Sequence, residues 1–448
     1  MSAALTDLAD ALLSAAKSAG AESADALVTE GTSISIGLQN RKLEEVERAE
    51  GVDLGLRVFV GQRQACVSAS DARAETMTAM AERAVAMAKE APEDPYAGLA
   101  TPEQLAQSWD IASLDMVDPT DEPDPAGLEA FARASEAVAL DTDGITQVET
   151  ASAGYSKRAM HMAATNGFSG GYARTSHSLF CVAITGTGTD MERDYYGDSR
   201  AHAADMISAE EIGRTAAERT LARAGSRKPP TGSFPVLYDE RISSSLIGHL
   251  LSAINGAAIT RGASWLRDAM GEQVLPEGLD LIEDPTRPRI GGSRPFDGEG
   301  LPCAPRAIVE SGMLKGWTLD LATARKLGLD STANASRGTS APPSPSNGNV
   351  ALTQGTATQA ELMAQMGTGL LVTSMIGATI NPTTGDYSRG AAGVWIENGK
   401  PTYPVNECTI AGNLRDMLTK MIPANDARTH LSRVVPSLLI DGMTIAGQ

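Results

Sequence analysis

A chain of 448 residues exceeds one ordinary hydrophobic core and is expected to divide into two or three domains. With 42% hydrophobic, 21% charged and only 4% aromatic residues, it has the composition of a globular protein whose core is built from Ala, Val, Ile, Leu and Met. A formal net charge of −19 argues against a nucleic-acid-binding surface, because neutralising phosphates takes clustered Lys and Arg.

Leu5, Leu8, Ala9, Leu12, Leu13 and Ala16 recur with helical period and predict an amphipathic first helix over residues 2–19. Asp7, Asp10 and Lys17 interrupt that pattern, unlike the basic start and unbroken apolar run of a signal peptide. Alternation in residues 33–38 and 52–60, with turn residues at Gln39-Asn40 and Gly61-Gln62, predicts an antiparallel meander with one wet face. A second helix is predicted over 71–91 with Asp71 as its N-cap, completing an α+β domain over residues 1–100.

Residues 92–125, rich in Pro, Asp and Glu, read as a boundary or a wrapping linker. A helix over 126–140 leads into long period-two runs at 147–155, 157–165, 171–186 and 191–202, which predict a broad, curved antiparallel sheet. A helix over 209–224 and the breaker Arg227-Lys228-Pro229-Pro230 close this middle domain, residues 101–231. The remainder, residues 232–448, opens with a strand at 234–238 running into a helix at Asp239. Past the surface loop at 342–348 it continues in short strands with Gly turns such as Asn398-Gly399, which predict a closed or nearly closed β-structure. The fold class is α+β.

The four cysteines, Cys66, Cys181, Cys303 and Cys408, are scattered without a C-x-x-C pair, which fits reduced thiols and a cytoplasmic protein. The longest uncharged stretch, residues 366–382, is rich in Gly, Thr and Ser, so no membrane span is expected.

Three motifs could carry chemistry. Gly167-Phe168-Ser169-Gly170-Gly171 matches G-x-S-x-G, but the preceding Asn166 and a following strand are hairpin context, whereas a nucleophile elbow joins a strand to a helix. Phe296-Asp297-Gly298-Glu299-Gly300 places two carboxylates in a Gly-bounded loop, a pattern that can serve acid–base work or cation binding, but a structural role as turn chemistry is the favoured reading. Asn381-Pro382-Thr383-Thr384-Gly385-Asp386-Tyr387-Ser388-Arg389-Gly390 is dense in turn formers and reads as a fixed-geometry loop. Asp297, Glu299, Asn381 and Asp386 are the candidate site residues of these two loops. His161, His177, His202 and His430 are far apart and none forms a pair at helical ligand spacing, so no metal site is expected in this chain.

The segment Asp239-Glu240-Arg241-Ile242-Ser243-Ser244-Ser245-Leu246-Ile247-Gly248-His249-Leu250, the Asn381 to Gly390 motif and Thr409-Ile410-Ala411-Gly412-Asn413-Leu414 together resemble the TldD/PmbA (TldE) family of bacterial proteases. The likeness spans nearly the whole chain. It implies an N-terminal α+β region, a strongly curved central sheet and a β-barrel-like C-terminal domain. In the family's catalytic subunit this helix carries H-E-x-x-x-H; here Ser244 and Ser245 stand at the first His and the Glu, and only His249 remains. A serine hydroxyl is a poor zinc ligand and a poor base, so no catalytic residue is expected here. Catalytic subunits also use a C-terminal-region cysteine as a ligand, but in PmbA-like relatives the position of Cys408 is not one, and a buried thiol is the expectation.

The resemblance implies a heterodimer in which a TldD-type partner supplies zinc and the catalytic glutamate, and a shared cavity, with Asp297, Glu299, Asn381 and Asp386 as its candidates in this chain, admits extended or unfolded peptides such as leader peptides and small antitoxins. The family's historical name as modulators of DNA gyrase gains no support from the charge balance. Two alternatives stay open: a homo-oligomer that binds peptides without cleaving them, and a divergent hydrolase acting alone through His249 with Asp297 or Glu299. For His249 the simpler reading is a half-buried histidine at the edge of the stripe formed by Ile242, Leu246, Leu250 and Ala253.

Overall fold

The computed structural model of the chain describes residues 3–447, so Ser2 of the first predicted helix and the terminal Gln448 lie outside the described residues. The first half runs α1 (Ala3–Ala19), β1 (Ser23–Gln39), β2 (Lys42–Val60), β3 (Arg63–Ala69), α2 (Ala74–Glu90), α3 (Pro125–Leu140), β4 (Ile145–Ala164), β5 (Ser169–Thr185), β6 (Glu192–Arg200) and α4 (Ala209–Leu221). Its six strands make one antiparallel sheet in the order β3-β2-β1-β4-β5-β6. The β1–β4 seam runs from Asp25↔Ala164 to Leu38↔Ala151, so the meander and the middle block are one continuous sheet.

Side-chain parity assigns the two faces of that sheet. In β1, Ala24, Ala26 and Val28 pack with α1 and α2, while Ile34, Ile36 and Leu38 pack with α3 and α4. All six are even-numbered, so both helix pairs cover the same face, one at each end. The odd-numbered Leu27 points the other way and packs on Phe296, Leu301 and Leu321 of the C-terminal half. The connection between α2 and α3 wraps as expected, burying Ala100, Leu105, Leu114 and Met116, with Ala106 N–H donating to Gly300 O at 2.9 Å.

Asp71 is not the cap of α2. The helix starts at Ala74 behind Arg73, and the Asp71 carboxylate is held by the Arg73 guanidinium and the Thr76 hydroxyl at 2.6 Å, which leaves no oxygen placed for a first-turn N–H cap.

The C-terminal half closes on itself. After β7 (Gly232–Tyr238) and α5 (Glu240–Ala253), four long strands follow: β8 (Gly369–Ile380), β9 (Asp386–Glu397), β10 (Lys400–Asn413) and β11 (Leu438–Ala446). They order β10-β9-β8-β7-β11, and β10 pairs back to β11 through Thr409↔Ala446, Ile410↔Ile445 and Ala411↔Thr444. The result is a closed five-stranded barrel with one parallel pair, β7–β8. Tyr238, Val372, Tyr387, Trp395, Ile410 and Met443 share its core with Leu246, Ile247 and Leu250 of α5. No helix among the described residues is long and apolar enough to cross a membrane.

Candidate functional site

Asp239 caps α5, accepting from Arg241 N–H at 3.2 Å, and so starts the helix directly after β7. Ser243 is fully buried and its hydroxyl donates to Val435 O at 3.3 Å. Ser244 and Ser245 are half-buried, and the Ser245 hydroxyl is an enclosed group without a hydrogen-bond partner. His249, one turn on, is also half-buried, and its Nε2 is enclosed and unpartnered.

The His249 ring meets the Tyr387 ring edge-on at 5.9 Å. Behind it the Tyr238 hydroxyl donates to the Tyr387 oxygen at 3.4 Å, and the Tyr387 hydroxyl donates to the Met375 sulfur at 3.3 Å. Burial lowers the His249 pKa, and the Arg389 guanidinium lowers it further. A zinc ion needs about three nitrogen, sulfur or carboxylate ligands. His249 has a phenol ring and a cation for neighbours, and these residues do not fit one. Among the described residues no group of three or more His, Cys, Asp and Glu side chains could hold a metal. Cys408 is buried in the barrel, where its thiol donates to Ala391 O at 3.2 Å and burial pushes its pKa up to about 11.

The Asn381 and Thr409 motifs meet at one end of the barrel. The exposed Asn381 carboxamide oxygen accepts from Thr383 and Thr384 N–H at 2.9 and 3.3 Å. The exposed Asp386 carboxylate accepts from the Thr384 hydroxyl at 2.6 Å and from the Asn413 amide at 3.1 Å. Asn413 also donates to Thr384 O at 3.1 Å and caps the helix Leu414–Thr419. Two motifs that look independent in sequence are thus one mutually pinned corner, and Tyr387 next to Asp386 joins it to His249.

Asp297 and Glu299 lie elsewhere, under the odd-numbered face of the large sheet. Asp297 is 2% exposed, and its oxygens accept from the backbone N–H groups of Glu299, Leu301 and Ala335 at 2.9, 3.0 and 3.0 Å. Glu299 accepts from Leu321 N–H at 2.8 Å at the start of the helix Leu321–Leu327. Burial, reinforced by the Asp297 charge, pushes the Glu299 carboxyl up to about 8. No hydrogen bond or ion pair joins either carboxylate to His249 among the described residues, so the hydrolase pairing of His249 with Asp297 or Glu299 is not assembled.

Beside Glu299 lies a cluster that sequence reading missed. Asp25 and Arg57 face each other across β1 and β2, with Arg57 Nε at 2.8 Å from Asp25. Arg337 from the C-terminal half closes on the other Asp25 oxygen. All three side chains are 5% exposed or less. The available signal was a single charge inside each of two apolar runs, Ala24-Asp25-Ala26-Leu27 and Leu56-Arg57-Val58.

Ser169 opens β5 after a β-hairpin turn, and its hydroxyl lies 3.0 Å from Nε2 of the buried His161. Nδ1 of that histidine is enclosed without a partner, so the third member of a triad is absent.

Between the two helix pairs the sheet narrows to Gly31 and Gly51, which pair directly. At that level, on the odd-numbered face of β1 and opposite the helices, lies a cleft of ≈ 500 Å³ lined by Thr29, Ser33, Asp53, Ser156, Arg158 and Arg174 among others. β3 pairs with β2 only over Leu54 to Val60, so residues 42–53 leave an outer strand edge without a strand partner among the described residues.

Three family models match in series: the PmbA/TldA metallopeptidase domain 1 over residues 24–88, the central domain over 118–224 and the C-terminal domain over 231–447. The chain is 36% identical to the Metalloprotease PmbA of Escherichia coli O157:H7, covering 97% of this chain and 94% of that protein. It is 33% identical to the Metalloprotease PmbA homolog of Haemophilus influenzae, covering 96% and 94%. A crystal structure from Bacteroides thetaiotaomicron, described as a candidate modulator of DNA gyrase, superposes with a TM-score of 0.91 at 26% identity over 99% of this chain and 98% of that one. TldE from Thermococcus kodakarensis shares the fold, with a TM-score of 0.85 at 18% identity over 98% and 99%.

Proposed function

Given that the chain belongs to the PmbA/TldD metallopeptidase family, we propose that it is the non-catalytic subunit of a TldD/TldE-type zinc metallopeptidase, acting in the cytoplasm on extended or unfolded peptides. The observation that carries this reading is the composition of α5. Where a metallopeptidase helix needs two ligands and a carboxylate base, it presents Ser244, Ser245 and a single histidine beside Arg389. The partner, a TldD-type subunit, would bring zinc and the glutamate that activates water.

This chain's share of the work is shape. The pinned corner of Asn381, Asp386 and Asn413 presents an exposed, rigid surface, suited to docking against the partner subunit. The cleft carries no side chain at Gly31 and Gly51, which lets an extended chain approach the backbone there. The free edge at residues 42–53 could add a peptide strand through backbone hydrogen bonds, giving low sequence selectivity. Asp297 and Glu299 fix the loop at 296–301 to Ala335 and Leu321 beneath the sheet.

The test is co-expression with a TldD-type subunit, followed by metal analysis and a peptidase assay on both the pair and the isolated chain. The expected result is one zinc per pair, chelator-sensitive cleavage by the pair, and neither property in this chain alone. Chelator-sensitive cleavage by a homogeneous sample of the isolated chain would falsify the assignment.

A further inference from the structure

The glycine waist of the large sheet separates two faces of different charge. In β4 the odd-numbered Ala151, Ala153 and Tyr155 pack with α3 and α4, while the even-numbered Met160 and Met162 pack with Phe296 of the C-terminal half. Parity therefore sends Lys157 to the helix face and Arg158 to the open face. On the helix face Glu30, Glu50 and Glu122 line a cleft of ≈ 560 Å³ in which Lys157 is the cation. On the open face the cleft of ≈ 500 Å³ holds Arg158 and Arg174, directly opposite each other in the β4–β5 register. Glu30, Glu50 and Lys157 border this cleft too, but they project toward the helices. Asp53 is the carboxylate that shares its face, two strands away from Arg158, where the Ser70 hydroxyl donates to it at 2.6 Å.

Like charges directly opposite on one face destabilise a strand pair. Arg174 is nevertheless held in place: its guanidinium donates to Gly291 O and to Ser293 O, the latter at 3.2 Å, and lies 5.3 Å from the centre of the Tyr172 ring. Carbonyl oxygens orient the group without neutralising it. Arg158 is exposed and can close over a ligand from the other side. One rung along, Ser33, Ser156 and Ser176 line up across β1, β4 and β5 and bring hydroxyl donors to the same place.

We infer that Arg158 and Arg174 form a subsite for an acidic side chain, Asp or Glu, of an extended peptide in this cleft. The inference rests on the reading that the cleft receives an extended chain, and it adds a preference to binding that is otherwise led by the backbone. A carboxylate between two guanidinium groups gains charge-assisted hydrogen bonds from both. The cleft does not end there, because Arg174 and Ser176 also line a neighbouring cleft of ≈ 250 Å³ that continues to Arg289 and His430. A chain can run past the arginines in both directions, which suits an internal side chain better than a C-terminal carboxylate. Glu30, Glu50 and Asp53 along the same cleft would repel the run of phosphates in a nucleic acid.

The test is fluorescence anisotropy of the purified full chain with an unstructured Ser/Thr-rich peptide carrying one Asp at its middle. Its Asn counterpart and its C-terminally amidated form are measured beside it. The Asp peptide should bind roughly tenfold more tightly than the Asn peptide, salt should narrow the gap, and amidation should leave it. Arg158→Gln should erase the preference, whereas Lys157→Gln, the same charge change on the helix face, should keep it. Arg158→Glu should fill the subsite with a cross-strand ion pair to Arg174, abolishing the preference while raising the unfolding midpoint. Cleavage of the same peptides by the pair with a TldD-type subunit separates the two readings. An Asp preference in the isolated chain supports the subsite even where the pair cleaves none of them, a result that tells against the peptidase reading alone. No binding of the Asp peptide, equal binding of the Asp and Asn peptides, or a preference that survives Arg158→Gln would overturn the subsite. So would a preference lost equally in Lys157→Gln or on amidation, or a lower midpoint for Arg158→Glu.

Discussion

The end of the barrel around His249 and the underside of the sheet around Asp25 are both enclosed and both contain polar groups, yet they manage them in opposite ways. Around His249 the enclosed groups are neutral and loosely served: the Ser245 hydroxyl and His249 Nε2 have no hydrogen-bond partner, and the tyrosine contacts are long. Under the sheet the groups are ionised, and Asp25 alone is held by two guanidinium groups. Neutral groups left unpaired cost little enough to survive in a packing surface, whereas a buried charge survives only with its counter-charge. The barrel end therefore has the energetics of a packing surface, and the sheet underside those of a joint between two halves of the chain.

Removing a charge from the joint should produce the largest effect. Asp25→Ala leaves Arg57 and Arg337 buried with no carboxylate between them, and breaking a buried pair in this way costs about 3–5 kcal/mol. Denaturant unfolding should show that loss in the midpoint. A loss below about 1 kcal/mol would mean that water reaches the cluster and that the contrast with the barrel end is false.

Titration should separate the two regions by sign. Burial raises the Glu299 carboxyl to about 8, so the native state holds a proton that the unfolded chain releases from its ordinary value of 4.5 upward. Stability from this group is complete at acid pH and is lost as pH rises toward about 8. His249 runs the other way. Burial and Arg389 depress its pKa, so the unfolded chain binds the extra proton and stability is lost as pH falls below the ordinary histidine value of 6.5. Glu299→Gln should therefore gain on the parent as pH climbs from weakly acid to weakly alkaline, while His249→Leu should gain only as pH falls. Unfolding midpoints across that range check both, and parallel curves for the two variants would remove the distinction.

Much of the architecture was legible because it rests on local alternation. The four helices of the first half and the strand-to-helix entry at Asp239 follow from apolar period and turn residues, whereas the barrel strands Gly369–Ile380, Asp386–Glu397, Lys400–Asn413 and Leu438–Ala446 are longer than the short strands expected. Residues 42–51 of β2 were not legible, because they are exposed on both faces and carry no apolar alternation to read. The single strand Ile145–Ala164 read as two, since Ser156-Lys157-Arg158 interrupts its pattern in the waist between the helix pairs. The joint was out of reach of any sequence window: Asp25 and Arg337 lie 312 positions apart, and only the strand register brings Arg57 to Asp25. The motifs pointed to Asp297 and Glu299 by residue type, but which atoms answer their charges is a property of the fold.

The smallest effect should come from Ser245, where the two ways of managing polarity can be compared most cleanly. Its hydroxyl is enclosed and unpartnered, so the parent carries the desolvation of that group with no hydrogen bond in return. Ser245→Ala removes the hydroxyl while keeping a small side chain and improving helix propensity in α5. The variant should match the parent or exceed it by up to about 1 kcal/mol in denaturant unfolding. In complex with a TldD-type subunit it should keep full peptidase activity, because on the proposed reading this position contributes no base and no ligand. A loss of activity with zinc content unchanged would show that the serine hydroxyl serves the partner's chemistry across the interface, and the barrel end would then have to be counted with the joint as a polar site under functional demand.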